Sequence, residues 1–208
     1  MRLVLASASP ARSRLLSTSG IAHSTMVSGV NEEAATAALG AAATPTDIAQ
    51  SLAQAKAQAV AQYMDRSDPR RTYVIGCDSV LDMDGRALGK PIDAADAARR
   101  WQAMRGRTGA LRTGHTVIDV QANVWVNAVQ STVVRFGSPD DDEVLAYLAS
   151  GEPMTVAGGF TLDALAAPFI DSIDGDPSNV VGLSLPMLRT MLRQLGVRWT
   201  DLWTQATP

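Results

Sequence analysis

Apolar and polar positions along the chain follow two periods, and each change of period marks an element. A short apolar run at 3–6 reads as a buried strand. Ser9 then caps a helix with Pro10 in its first turn, where the missing N–H costs nothing, and that helix carries Leu15 and Leu16 up to Gly20. Asn31, Glu32 and Glu33 fall in a polar loop. Thr44-Pro45-Thr46-Asp47 opens a second helix with an acid at its third position. Ile48, Leu52, Ala55, Ala59 and Tyr63 recur at helical spacing to about residue 63. Past a charged turn at 65–71, strands are predicted at 73–77, 80–83 and 86–88, the last two joined by an Asp84-Gly85 turn. Asp93 and Asp96 open a helix to about Met104, closed by Gly106. Residues 112–120 and 124–136 alternate and are rich in β-branched side chains, which predicts a long hairpin turning near Asn123. A helix from Pro139 to about Ser150, a glycine-rich irregular region at 151–183 and a last helix at 186–195 complete the pattern. Strands and helices mix without strict alternation, which predicts an α/β protein with a mixed sheet. No repeat, low-complexity tract or linker divides the 208 residues, so one large domain or two small lobes fit.

Composition changes this picture little. Hydrophobic residues make up 46% and charged residues 19%, ordinary values for a soluble globular protein. A formal net charge of −3 leaves no basic footprint for a nucleic acid, although a few local cations and a metal still suffice to hold a nucleotide. The single cysteine, Cys77, excludes an internal disulfide framework. The first residues, MRLVLASASP, hold too short an apolar run for a signal peptide, and no stretch reaches the roughly 18 apolar residues of a membrane span. The expectation is a cytoplasmic protein. Trp199 and Trp203 read as core-packing residues.

Three groups of residues carry candidate chemistry. In LVLASASPARSRLL a helix N-terminus meets Ser7, Ser9 and Arg12; free N–H groups, hydroxyls and a planar cation suit phosphate oxygens. The same residues also read as a plain capped helix with a solvated basic face. In YVIGCDSVLDMDGRALGKP, Asp78 ends an apolar run and must find donors, bind a metal or accept a raised pKa. A two-residue turn at 84–85 sets 79 opposite 90, which brings Lys90 beside Asp78 as an ion pair or as part of a site. Glu32 and Lys56 form the third group, each also readable as a surface charge. The segment is no P-loop: Pro91 stands where a serine or threonine would ligate magnesium. His23 and His115 lack a third partner for a triad or a zinc site, and Cys77 reads as a buried small hydrophobe.

Several of these segments, in fixed order, resemble the Maf family of nucleoside triphosphate pyrophosphatases. Ser7-Ala-Ser-Pro-Ala-Arg12 is similar to its N-terminal signature and GCDSVLDMDGRALGKP to its second; TGHTVI, AYLASGEP, AGGFTLDALA and NVVGLSLPML continue the match to about residue 195. The resemblance implies a mixed α/β fold, related in shape to inosine-triphosphate pyrophosphatases, with two lobes around a long central cleft. It implies hydrolysis of nucleoside triphosphates to the monophosphate and pyrophosphate with a divalent cation, Mg²⁺ or Mn²⁺. Such an activity serves house-cleaning of the nucleotide pool. The family's name attaches it to septum formation and cell division, which keeps a non-enzymatic nucleotide-binding regulator as the alternative. Carried over by position, Asp78 takes the catalytic acid and Lys90 the signature lysine, while Ser7, Arg12, Glu32 and Lys56 fall on phosphate- or metal-binding positions, with Asp78 and Glu32 as the metal pair. The chain departs from the pattern at Ala11, where a basic residue is usual, at Arg14, where an acid is, and at Ser79 and Asp163, where pyrimidine-acting members have threonine and glutamine. Asp163 is closer to members acting on methylated guanine nucleotides, so Ala11, Ser79 and Asp163 are the expected specificity positions. The hairpin at 112–136 is long enough to pair across a homodimer.

Overall fold

The short apolar run at 3–6 can be buried only against strands distant in sequence, and a computed structural model, which describes residues 1–203, shows how they meet. In chain order the elements are β1 (Arg2–Leu5), α1 (Pro10–Thr18), β2 (Ser24–Thr25), α2 (Glu32–Ala37), α3 (Pro45–Ala61), β3 (Thr72–Met83), β4 (Arg86–Leu88), α4 (Ala94–Met104), β5 (Thr108–Asp119), β6 (Val124–Phe136), α5 (Asp141–Ala149), β7 (Ile170–Asp174), α6 (Pro177–Val181) and α7 (Leu185–Gln194), with short 3₁₀ turns between several of them. Seven strands form one mixed sheet in the order β2-β1-β3-β5-β6-β7, with β4 beside β3. β1 runs parallel to β2 and β3; all other pairs are antiparallel.

β3 organises the molecule because it changes neighbours along one edge. Arg2–Leu5 of β1 pair with Thr72–Ile75, and Arg86–Leu88 of β4 pair with Leu81–Met83. Between those two partners residues 76–80 have no strand on that side, while their other edge is paired continuously with β5 from Tyr73 to Asp82. The two strands predicted at 73–77 and 80–83 are therefore one strand of 12 residues; the polar pair Asp78-Ser79 marks a gap in the ladder, not a break in the backbone.

Successive residues of a strand face opposite sides, so Gly76 and Asp78 share one face and Cys77 and Ser79 the other. α3 lies on the first face. A Cβ at Gly76 would fall on Ala53 O and Ala57, and one at Gly114 on Ala49 O, so both glycines are needed to let the helix backbone rest on the sheet. Val4, Ala57, Val60, Val74 and Ile118 fill the core there. The opposite face is packed by Leu16 of α1 and Leu188, Met191 and Leu192 of α7 against Leu5, Tyr73, Ile75 and Val117. A third cluster closes the far end around Trp101, Met104, Phe136, Tyr147 and Phe160. Trp101 meets Phe136, Tyr147 and Phe169 edge to face and donates its indole N–H to Gly159 O at 2.9 Å.

Four further readings of the sequence change. Residues 32–37 are a short helix, because Asn31 accepts from Ala34 N at 2.9 Å and caps it. The buried stripe of α3 is Ala49, Leu52, Ala53, Lys56, Ala57 and Val60, rotated from the one expected, and Tyr63 lies beyond the helix, exposed. The region 151–183 contains β7 and α6. Trp199 packs against the core, but Trp203 is 53% exposed. No helix among the described residues is long and apolar enough to cross a membrane.

Candidate active site

The gap in the β3 ladder is where the candidate residues gather. Ala6 N still donates to Ile75 O at 2.8 Å, and then the chain leaves the sheet through Ser7. Ser9 caps α1, accepting from Arg12 N, and Ser9 N donates to Ser7 Oγ at 3.2 Å. Arg12 turns back over the gap. Its Nε donates to Gly182 O at 2.7 Å, Nη1 to Cys77 O at 2.9 Å and to Ser7 Oγ at 3.2 Å, and Nη2 to Ser79 Oγ at 3.1 Å. A guanidinium has five N–H donors, so one on Nη2 remains available. Arg12 thus replaces the missing strand at Cys77 O while holding a positive charge in the gap. Gly182, at φ +116°, permits the approach: a Cβ there would press on Arg12 Nε. A cavity of about 340 Å³ opens beside this turn, lined by Ser7, Ala8, Ser9, Pro10, Ser13, Thr25 and Val27.

The second cation enters from the other face. Lys56, on the buried stripe of α3, places Nζ 2.5 Å from Asp78 Oδ1 and 2.7 Å from Glu32 Oε1. Asp78 and Lys56 are both buried, whereas Glu32 stays mostly exposed. Burial raises the Asp78 pKa, opposed first by Lys56 and then by Arg12. Asp78 Oδ2 and Glu32 Oε2 have no protein partner among the described residues. Two carboxylates joined by an ammonium do not make a protein-only metal cage, and no group of three or more potential ligands is present among the described residues. Their free oxygens are hard donors that fit a divalent cation sharing phosphate ligands.

The predicted neighbour of Asp78 is corrected by this arrangement. The turn at 84–85 has the expected register, Met83 opposite Arg86, but pairing stops at Leu81–Leu88, so Lys90 never comes beside Asp78. Lys90 is exposed and makes no ion pair among the described residues. Its backbone is nevertheless fixed: Gly89 O accepts from Gly158 N at 3.0 Å and from Arg100 Nη1 at 2.7 Å. Lys56 was the missed partner, and its signal was a lysine one position before Ala57 and four before Val60 on an otherwise apolar stripe.

The specificity positions separate. Ala11 is half-buried in the first turn of α1. Ser79 Oγ contacts Thr113 Oγ1 at 2.9 Å beneath Arg12. Asp163 ion-pairs with Arg14 at 3.5 Å, so two departures from the Maf pattern meet. The segment around Asp163 is held by Glu152, which accepts from Thr161 Oγ1 at 2.6 Å and Leu165 N at 3.2 Å.

The histidines stand apart from the gap. His23 Nε2 lies 2.8 Å from Ser13 Oγ and its Nδ1 3.0 Å from Ile21 O, with no carboxylate behind it. His115 is buried and accepts from Ser184 N at 2.9 Å through Nε2. Cys77 is fully buried, and burial pushes its thiol up to about 12, which fits an inert core residue.

Comparison with known proteins agrees with this geometry. A nucleoside triphosphate pyrophosphatase of Streptomyces coelicolor is 58% identical over 205 residues, covering 99% of this chain and 96% of its own. One of Streptomyces avermitilis is 53% identical, covering 98% and 95%. One of Mycobacterium sp. strain JLS is 48% identical, covering 98% and 99%. A model of the Maf-like proteins matches residues 2–195, and the chain belongs to that family.

Proposed function

We propose that this chain hydrolyses nucleoside triphosphates to the monophosphate and pyrophosphate at the gap in the β3 ladder. The observation that carries the reading is the buried Asp78 carboxylate with Lys56 on it and Arg12 across the same opening. Relatives at 48–58% identity over nearly the full chain, all named nucleoside triphosphate pyrophosphatases, support the reaction.

Cleavage between the α and β phosphates needs the charge on phosphorus neutralised and a water aligned and deprotonated. Lys56, the remaining Nη2 donor of Arg12 and the first turn of α1 neutralise charge from two sides. Ser7 and Ser9 offer hydroxyl donors beside them. Lys90, on the clamped turn after β4, reaches the outer end of the triphosphate. Asp78 Oδ2 takes the proton from water, with its other oxygen held by Lys56. Asp78 and Glu32 are the residues that would hold Mg²⁺ or Mn²⁺, which would supply further charge neutralisation on the phosphates. The site lies in a cleft between two lobes of one domain, and Ala11, Ser79 and Asp163 select the base. The Asp163 carboxylate offers acceptor oxygens for N–H groups, which favours a guanine edge over a pyrimidine. The cytoplasm, with its nucleotide pool, is the expected location.

The test is pyrophosphate release by the purified protein from a panel of standard and methylated nucleoside triphosphates with either metal. Monophosphate and pyrophosphate are the expected products. Diphosphate and phosphate would indicate a γ-phosphatase instead, and no release from any nucleotide would leave a nucleotide-binding regulator.

A further inference from the structure

His115 is a buried titratable group that the reaction at the gap leaves unused. It is fully buried on β5 directly opposite Cys77, and Thr113, on the same face of that strand, lies opposite Ser79. Both therefore stand behind the stretch of β3 over which Arg12 turns. Burial first, and the Arg12 charge next, push the His115 pKa down to about 4, so at neutral pH the ring is uncharged and one nitrogen is an acceptor. Nε2 is that nitrogen, since it accepts from Ser184 N at 2.9 Å. The proton then sits on Nδ1, which is buried without a hydrogen-bond partner. An unpaired buried donor is costly, so packing alone does not account for a histidine here.

The Ser184 contact lies close to the acceptor of Arg12. α6 ends at Gly182 and Ser184 caps α7, accepting from Met187 N, with the fully buried Leu183 between them. Gly182 O accepts from Arg12 Nε at 2.7 Å. The connector is thus tied to β5 at Ser184 and offers its carbonyl to Arg12 at Gly182.

A second arm from β5 holds the other side of the guanidinium. Arginine only donates, a carbonyl only accepts and each hydroxyl has one proton, so every bond along this arm has a fixed direction. Arg12 Nη2 donates to Ser79 Oγ at 3.1 Å, the Ser79 hydroxyl to Thr113 Oγ1 at 2.9 Å, and the Thr113 hydroxyl to Asn179 O at 3.3 Å. Asn179 is itself tied through Nδ2 to Leu111 O and Thr132 Oγ1, both at 3.1 Å. The two arms differ in their anchorage. Ser79 belongs to the sheet, whereas Gly182 belongs to a connector between helices that the Ser184–His115 bond ties to the sheet.

We infer that His115 is a positioning residue for Arg12: by accepting from Ser184 N it fixes Gly182 O, and with it the orientation of the guanidinium in the gap. The inference rests on the phosphate-binding role proposed for Arg12, but the seating of Arg12 can be measured without it. His115→Leu removes the acceptor and His115→Gln keeps one. In the unaltered protein the Arg12 Nε–H should give a slowly exchanging signal in ¹H–¹⁵N spectra, identified by its loss in Arg12→Lys. That signal should exchange faster in His115→Leu and stay protected in His115→Gln. At temperatures where the variant is folded, His115→Leu should lower kcat/KM for pyrophosphate release about tenfold or more, within the roughly 10²-fold that a misplacement of about 1 Å can cost. His115→Gln should restore most of it. In an Arg12→Lys background, which has no guanidinium to orient, His115→Leu should cost no more than about twofold, because residues acting through one contact are not additive.

A purely structural histidine would cost the same in both backgrounds, and that result overturns the inference. So does Arg12 Nε–H exchange that is indifferent to His115→Leu. Should His115→Leu fail to fold, nitrogen spectra of the histidine rings in the unaltered protein decide: an unprotonated Nε2 supports the inference and a proton on it overturns it. The exchange readout stands whether or not pyrophosphate is released, so failure of the reaction and failure of the inference are told apart.

Discussion

Asp78 lies where a carboxylate is costly, and the charges around it decide what it can do. Burial raises its pKa, while Lys56 and Arg12 pull the other way, so the ionised form depends on keeping both cations. The acid limb of kcat/KM should therefore lie above the ordinary carboxylate value of about 3.9. Asp78→Asn should lower turnover by about 10²-fold or more with folding intact, the usual contribution of a general base; near-normal turnover in that variant would remove Asp78 from the reaction. Lys90→Ala should raise KM for the triphosphate without changing melting temperature, since Lys90 has no structural partner among the described residues. His115 makes a separate pH prediction. Burial is the main cause that pushes its imidazole pKa down to about 4, and Nε2 accepts from Ser184 N. A folded pKa below the free value of about 6.5 means stability is full above 6.5 and lost as pH falls toward 4, by about 3 kcal/mol. Chemical denaturation across that range should show the loss, and His115→Gln, which can still accept from Ser184, should flatten it.

At the scale of elements, the site depends on how closely α3 sits on β3. Gly76 shares a face with Asp78, and any Cβ there meets Ala53 O and Ala57, the residue after Lys56. Gly76→Ala should lift the helix, cost about 1–3 kcal/mol of stability through overpacking, and lower kcat/KM at least tenfold at temperatures where the variant is fully folded. Equal activity per folded molecule would show that Lys56 reaches Asp78 without close helix packing. This contact also marks the limit of what was legible in the sequence. Turn and cap signals are local, so the Asp84-Gly85 hairpin and the helix starts at Ser9 and Thr44 could be read directly. The face of α3 could not, because alanines on all sides of a helix leave its hydrophobic period ill defined. Nor could the partner of Asp78: Lys90 was near in sequence, whereas Lys56 is joined to it only by tertiary packing. The strand break expected at Asp78 was a misreading of a real signal, since a missing neighbour and a chain end both admit a polar residue.

For the molecule as a whole, the gap draws on α1, α2, α3 and β3 at once, so a bound nucleotide should resist unfolding globally. An α,β-methylene triphosphate that resists cleavage, added with Mg²⁺ at about 100 times its Kd, should add about 2.7 kcal/mol. For a chain of this size that is about 5–10 °C in melting temperature; no shift at saturation would mean that the nucleotide does not bind the native state. The gap has one more consequence, in the order of assembly. Its two sides close over very different lengths of chain: β4 returns to β3 through a two-residue turn, whereas β1 must find β3 across more than sixty residues. Distant pairing is the slower event. During refolding the hairpins should therefore restore much of the strand signal in the far ultraviolet before β1 docks, and catalytic activity should return in a later phase, with the arrival of the chain's first residues.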